Sequence, residues 1–245
     1  MRTIAMVVWM GLLLGLPMEA HAFALKTTAD GVAVRWQSDR VELRIDPELE
    51  AAYGEAAVKR AAEVASEAWR GLAHAPDVVI ADGAPAAYDA EVRNNGIYLL
   101  REWPFEHDQV AMTVTTYTVG GEILGVDILV NGERAFDMLP EPATGSTKHD
   151  LAAVLTHEVG HALGLAHSED DADATMFPNI RAGETKQRTL SADDEAAIDE
   201  AYAAASATSQ VRAAACTAVP GGTSGSFLAT ALALVSVVLV RRRTR

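Results

Sequence analysis

Residues 157–167 read HEVGHALGLAH. This string sets three imidazoles, one carboxylate and one glycine at spacings that build an open metal site. His157 and His161 stand four apart, so on a helix they share a face and reach one ion together. Glu158 follows the first of them and points off that axis, placed to meet a water at the metal rather than the metal itself. Gly164 has no Cβ and can take the left-handed conformation that ends a helix. The chain then turns back and brings in His167 as the third ligand. Three neutral nitrogens leave the fourth tetrahedral position of a zinc ion to water, which marks a catalytic rather than a structural site.

The elements that must position these residues are partly readable. Leu151, Val154, Leu155, Val159, Ala162 and Leu163 form the apolar stripe of a helix, with Asp150 as its N-cap. The competing reading is an ordinary buried helix, which needs the three histidines and the glycine at these offsets by accident. Upstream, residues 41–45 alternate like a first strand. Residues 54–72 carry Val58, Ala61, Ala65, Ala68, Trp69 and Leu72 at helical spacing, and residues 78–80 read as a short buried strand. Residues 110–119 and 123–130 form a hairpin about Gly120 and Gly121. Downstream, Ser191 caps a helix through about residue 204, with Asp193 and Asp194 in its first turn and Ile198 and Tyr202 on its apolar face.

The pattern HExxHxxGxxH resembles the signature of the metzincin zinc peptidases. Ala174-Thr175-Met176-Phe177-Pro178 resembles the Met-turn of their matrixin branch. The gap from His167 to Met176 is one residue longer than is usual there, which reads as a longer acidic loop. A tyrosine two residues past the methionine would suggest astacins or serralysins, but that residue is Pro178. The resemblance covers roughly residues 35–205, strongly at the zinc motif and loosely elsewhere. It implies an α+β fold: a twisted mixed sheet with two long helices above a zinc cleft, and a small C-terminal lobe ending in a helix. It implies one catalytic zinc on His157, His161 and His167, since the histidine-rich insertion that holds a second zinc has no counterpart. The expected activity is peptide-bond hydrolysis without a covalent intermediate. The zinc acidifies water and polarises the scissile carbonyl, and Glu158 takes the water's proton and hands it to the leaving amine.

For substrate binding, the resemblance places the edge strand at residues 125–131, with Asp127, Ile128 and Leu129 against the peptide. Ala153, four before the first histidine, would set the depth of the primed-side pocket; its small size predicts a deep one. Phe177, Pro178 and Asn179 would form the facing segment. The pro-segment cysteine by which matrixins mask the zinc has no equivalent between Phe23 and the first strand. Two readings from other classes stand beside the peptidase: a catalytically silent surface binding module, and a surface protein with a purely structural metal. The intact Glu158 and the open fourth position count against both.

No CxxC and no phosphate-binding loop offers a rival chemistry, and His74, His107 and His149 are scattered. Asp170, Asp171 and Asp173 form an acidic loop; such runs are ordinarily solvated, with calcium (Ca2+) as the alternative occupant.

The ends of the chain set its address. Arg2, an apolar run over residues 4–16 and Ala20-His21-Ala22 read as a signal peptide, residues 1–22, cut before Phe23. The peptidase domain spans 23–205 and a linker spans 206–226. Residues 227–245 hold an apolar tail segment and an arginine cluster. Cys216, the only cysteine, together with that tail resembles the myxobacterial C-terminal sorting signal. That implies removal of the tail by a sorting protease and surface attachment through Cys216; a plain single-pass membrane anchor is the alternative. The full chain holds 20 basic and 34 acidic residues, a net charge of −14. Residues 1–22 and 217–245 carry Arg2, Glu19 and four arginines; without them the span holds 15 basic and 33 acidic residues, net −18. Such a surface argues against nucleic acid as partner and leaves a protein or peptide substrate.

Overall fold

A computed structural model describes residues 23–72, 74–143 and 145–203. The expected signal peptide, linker, Cys216 and apolar tail lie outside the described residues. Among those described, no helix is long and apolar enough to cross a membrane.

The chain opens with an extended segment over residues 23–36 and then enters strand β1 (Arg40–Ile45). Val41, Leu43 and Ile45 of β1 alternate inward. Asp46 caps a short helix α1 (Pro47–Tyr53), its carboxylate accepting from the Glu48 N–H, with Pro47 at the first helical position. Helix α2 (Glu55–Ala68) follows. It buries Val58, Ala61, Ala62 and Ala65, and the small side chains allow close packing. Strands β2 (Asp77–Ile80), β3 (Gly96–Leu100), β4 (Ala111–Tyr117) and β5 (Ile123–Asn131) complete the sheet. The short strands β6 (Phe136–Asp137) and β7 (His149–Asp150) then lead into helix α3 (Leu151–Ala162). A 3-10 turn (Lys186–Arg188) and a last helix, α4, over residues 192–203 form the lower lobe.

The sheet order is β2-β1-β3-β5-β4, parallel except for the antiparallel β4–β5 pair. This is the expected α+β fold. The structure corrects the edge strand, however. β5 lies between β3 and β4, and among the described residues the outer strands of the sheet are β2 and β4, of which β4 borders the cleft. The reason is burial on both faces: Ile128 faces the main core and Leu129 a second cluster with Tyr98 and Trp103. A run apolar on both faces belongs inside a sheet. The sequence reading missed β3 and α1; its single helix over residues 54–72 is α2, which ends at Ala68.

Helix α3 is the axis of the molecule. Every residue from Leu151 to Gly160 is buried, between the sheet, α2 and the lower lobe. Its N-terminus is held by Asp150, whose carboxylate accepts from the Ala153 N–H at 2.8 Å. Arg188 grips the same carboxylate through two nitrogens at 2.7 and 2.6 Å. At the other end, freed carbonyls find donors from distant segments. The Trp36 indole donates to the Ala162 carbonyl, the Tyr202 hydroxyl to Leu163 and the Lys26 N–H to Gly164. Gly164 has φ of 97°, and a Cβ there would be driven into the Val34 carbonyl. The glycine thus allows both the reversal and the passage of the N-terminal segment.

Candidate metal centre and cleft

The helix, the glycine turn and the return of the chain bring His157, His161 and His167 together. Their ligand atoms lie within 4.8 Å of one another. The orientation of two rings is fixed from behind. A carbonyl can only accept, so the Nδ1–H of His157 donates to the Thr175 carbonyl at 2.7 Å and that of His161 to Leu165 at 2.9 Å. Nε2 of each is left with its lone pair for a metal. The Nε2 atoms of His161 and His167 face each other at 3.1 Å. A tetrahedral zinc with bonds near 2.0–2.1 Å requires nitrogens about 3.3 Å apart, so the donor set fits zinc. Burial pushes the His157 pKa down to about 4 and that of His161 well below its ordinary value. Both are therefore neutral at pH 7, as a ligand must be. His167 is also lowered by burial. Among the described residues this is the one group spaced to hold a metal. The acidic loop does not converge into a second: Asp171 accepts from the Asp173 N–H, and Asp173 pairs with Lys186.

Met176 sits under the helix, fully packed. Gly160, between the ligands, has no room for a Cβ, which would strike the Met176 sulfur and the Trp69 ring. The turn is clamped by Asp194, which accepts from the Thr175 N–H at 2.7 Å and the Met176 N–H at 3.0 Å. Asp194 also bonds Ser191, the cap of α4, in a reciprocal box. The acidic start of that helix, which its dipole alone would explain, also holds the floor of the metal site.

The triad opens into a cleft of about 410 Å³. Glu158 lies in it, buried, and its carboxylate accepts a 2.7 Å hydrogen bond from the Thr113 hydroxyl of β4. Burial pushes its pKa up to about 7, against the opposing pull of Thr113 and of the Lys26 charge. One wall is β4, through Ala111, Met112 and Thr113; the other is Pro178, Asn179 and Ile180. Pro178 and Asn179, expected to form the facing segment, both line the cleft. Phe177 is half-buried and outside the wall.

Asp127, Ile128 and Leu129 are not in the cleft, because β5 is internal. Asp127 is fully buried and serves the fold: it accepts from the Asn94 and Gly96 N–H groups and pairs with Arg93 at 3.1 Å. Ala153 has no exposed surface and does not line the cleft, since the first turn of α3 is packed beneath the Asp150–Arg188 pair. Two residues that the sequence reading missed do face the cleft, Thr113 and Lys26. Neither belongs to a motif; one sits mid-strand and the other in an extended segment.

The fold and site together define an α+β protein with a metzincin-type zinc centre. A family model described as Matrixin matches residues 35–203, and the chain belongs to that family. It is 38% identical over 73 residues to human neutrophil collagenase, covering 30% of this chain and 15% of that protein. It is 41% identical over 75 residues to metalloendoproteinase 5-MMP of Arabidopsis thaliana, covering 31% and 19%. The match to human matrix metalloproteinase-20 is longer, 29% over 169 residues, covering 69% of this chain and 32% of that protein. The chain thus spans less than a third of the length of these relatives.

Proposed function

We propose that the protein is a zinc-dependent endopeptidase, with Glu158 as its general base. One observation carries the reading: a buried carboxylate, pinned by Thr113, stands in an open cleft beside three converging imidazole nitrogens. A zinc ion held by His157, His161 and His167 supplies a Lewis acid there, polarising the scissile carbonyl and acidifying water. Glu158 accepts the proton of the attacking water and passes it to the departing amine. Among the described residues β4 pairs only with β5, which leaves its other edge to add an extended peptide as a further strand. Pro178 and Asn179 confine that peptide from across the cleft.

The address belongs to the same proposal. The signal peptide exports the chain, and Cys216 with the tail attaches it to the cell surface, after removal of the tail by a sorting protease. The single-pass membrane anchor is the competing arrangement.

The test uses zinc-loaded wild type and Glu158→Gln with a mixed peptide library, with and without chelator, read by mass spectrometry. Cuts that require both zinc and Glu158, with zinc still bound in the variant, support the endopeptidase. Zinc bound in both proteins with no cuts in either would leave the silent binding module instead.

A further inference from the structure

We propose that Lys26 makes the cleft selective for peptides with an acidic side chain beside the scissile bond, at the end where β4 reaches Thr115. The inference rests on the endopeptidase reading and adds a substrate class to it.

The main chain of Lys26 is pinned on both sides. Its N–H donates to the Gly164 carbonyl at 2.9 Å, and its carbonyl accepts from Val34 at 2.8 Å. The side chain is thereby committed to the cleft, which it lines together with Glu158, His161 and Thr113. The ammonium donates to the Thr115 hydroxyl at 3.1 Å. Among the described residues it makes no ion pair, although an ammonium carries three donors. Burial lowers its pKa, and the Glu158 charge, farther off than ion-pair distance, only partly offsets this. A half-buried cation with spare donors and no adjacent carboxylate is a receptor for an anion.

The position of that anion follows from the strand. Thr113 and Thr115 lie on the same face of β4, about 7 Å apart at two residues' rise. Thr113 marks the reacting centre through Glu158. A peptide laid along β4 therefore presents to Lys26 a side chain one or two residues from the cut. The other end of the same cleft carries Glu106 and Asp108, which repel an acid there. The preference must fall on one side of the scissile bond only. A lysine that served merely as a distant counter-charge to Glu158 would change the rate for all peptides alike.

The experiment compares zinc-loaded full-length wild type, Lys26→Met and Lys26→Arg on matched peptides carrying Glu, Gln or Lys at each position flanking one cut. Zinc content and Tm are recorded for each protein. Wild type is expected to favour Glu over Gln roughly tenfold at one flanking position, the scale of a single charge-assisted contact. Lys26→Met is expected to abolish the ratio, and Lys26→Arg to keep it. A wild type without the ratio, or a ratio that survives in a folded Lys26→Met, overturns the inference. Binding of the same peptides with a reduced, uncleavable scissile amide is followed by fluorescence anisotropy. Selective binding of the Glu peptide, lost in Lys26→Met, with no cleavage of any peptide would keep the Lys26 assignment and sink the peptidase reading. Equal binding of Glu and Gln peptides would sink the Lys26 assignment whether or not cleavage occurs.

Discussion

At the scale of single residues, His157, which fits a zinc site, and Glu158, the proposed base, titrate in opposite senses, and the difference is measurable without zinc. His157 is held down to about 4 from an ordinary 6.5, so between these values the unfolded chain binds more protons than the folded one. The His157 contribution to the stability of metal-free protein is therefore present above 6.5 and lost as pH falls toward 4. His149, also lowered by burial, acts in the same direction. Glu158 is raised to about 7 from 4.5, so its contribution is present at low pH and lost as pH rises through 7. In Glu158→Gln that opposing contribution is gone. Chelated Glu158→Gln should thus lose stability on acidification more steeply than chelated wild type. The excess is up to one proton, about 1.4 kcal/mol per pH unit, over the window near 5–6.5. Thermal melts of both chelated proteins between pH 5 and 7.5 decide it; parallel slopes would contradict the buried, proton-holding Glu158.

The elements that hold those residues were unequally legible. The motif gave the histidines, the glycine turn and the helix, because each needs a residue type at a fixed helical offset. Asp150 was readable as a cap, but its second partner was not: Arg188 arrives from 38 positions away. Which strand forms the edge was not readable either. It depends on sheet order, and an apolar run such as Ile128-Leu129-Val130 looks the same in isolation wherever it lies. Thr113 and Lys26 left no signal, since a lone threonine in a strand and a lone lysine in a loop are commonplace. The Asp150–Arg188 pair has a consequence for α3. Asp150 is fully buried and Arg188 only 13% exposed. Removing the guanidinium leaves a buried carboxylate with backbone donors alone. Arg188→Met should cost about 3–5 kcal/mol in urea unfolding. Arg188→Met with Asp150→Asn should recover part of this, since the stranded charge is then absent. A single variant as stable as wild type would show that the pair does not hold the helix that carries the zinc ligands.

At the scale of the whole molecule, two electrostatic ranges act on the same cleft and salt separates them. The full chain carries a net charge of −14, and this long-range field draws cationic peptides and repels anionic ones. Its reach shrinks with ionic strength, from a Debye length of about 30 Å at 0.01 M to about 3 Å at 1 M. Lys26 works at contact distance inside the cleft, where screening is weak. For a lysine-rich peptide, kcat/KM should fall several-fold between low and high salt while kcat holds, because only encounter is affected. The Glu-to-Gln ratio at the Lys26 position should stay within about twofold over the same range, as a contact sheltered from salt requires. Initial rates for the matched peptides at 0.02 and 0.5 M NaCl measure both effects. If the ratio collapses along with the rate for the lysine-rich peptide, acid selectivity belongs to the diffuse surface field and Lys26 is not its source. If the ratio holds while the cationic rate falls, the surface brings basic peptides to the cleft and Lys26 selects among those that also carry an acid beside the cut.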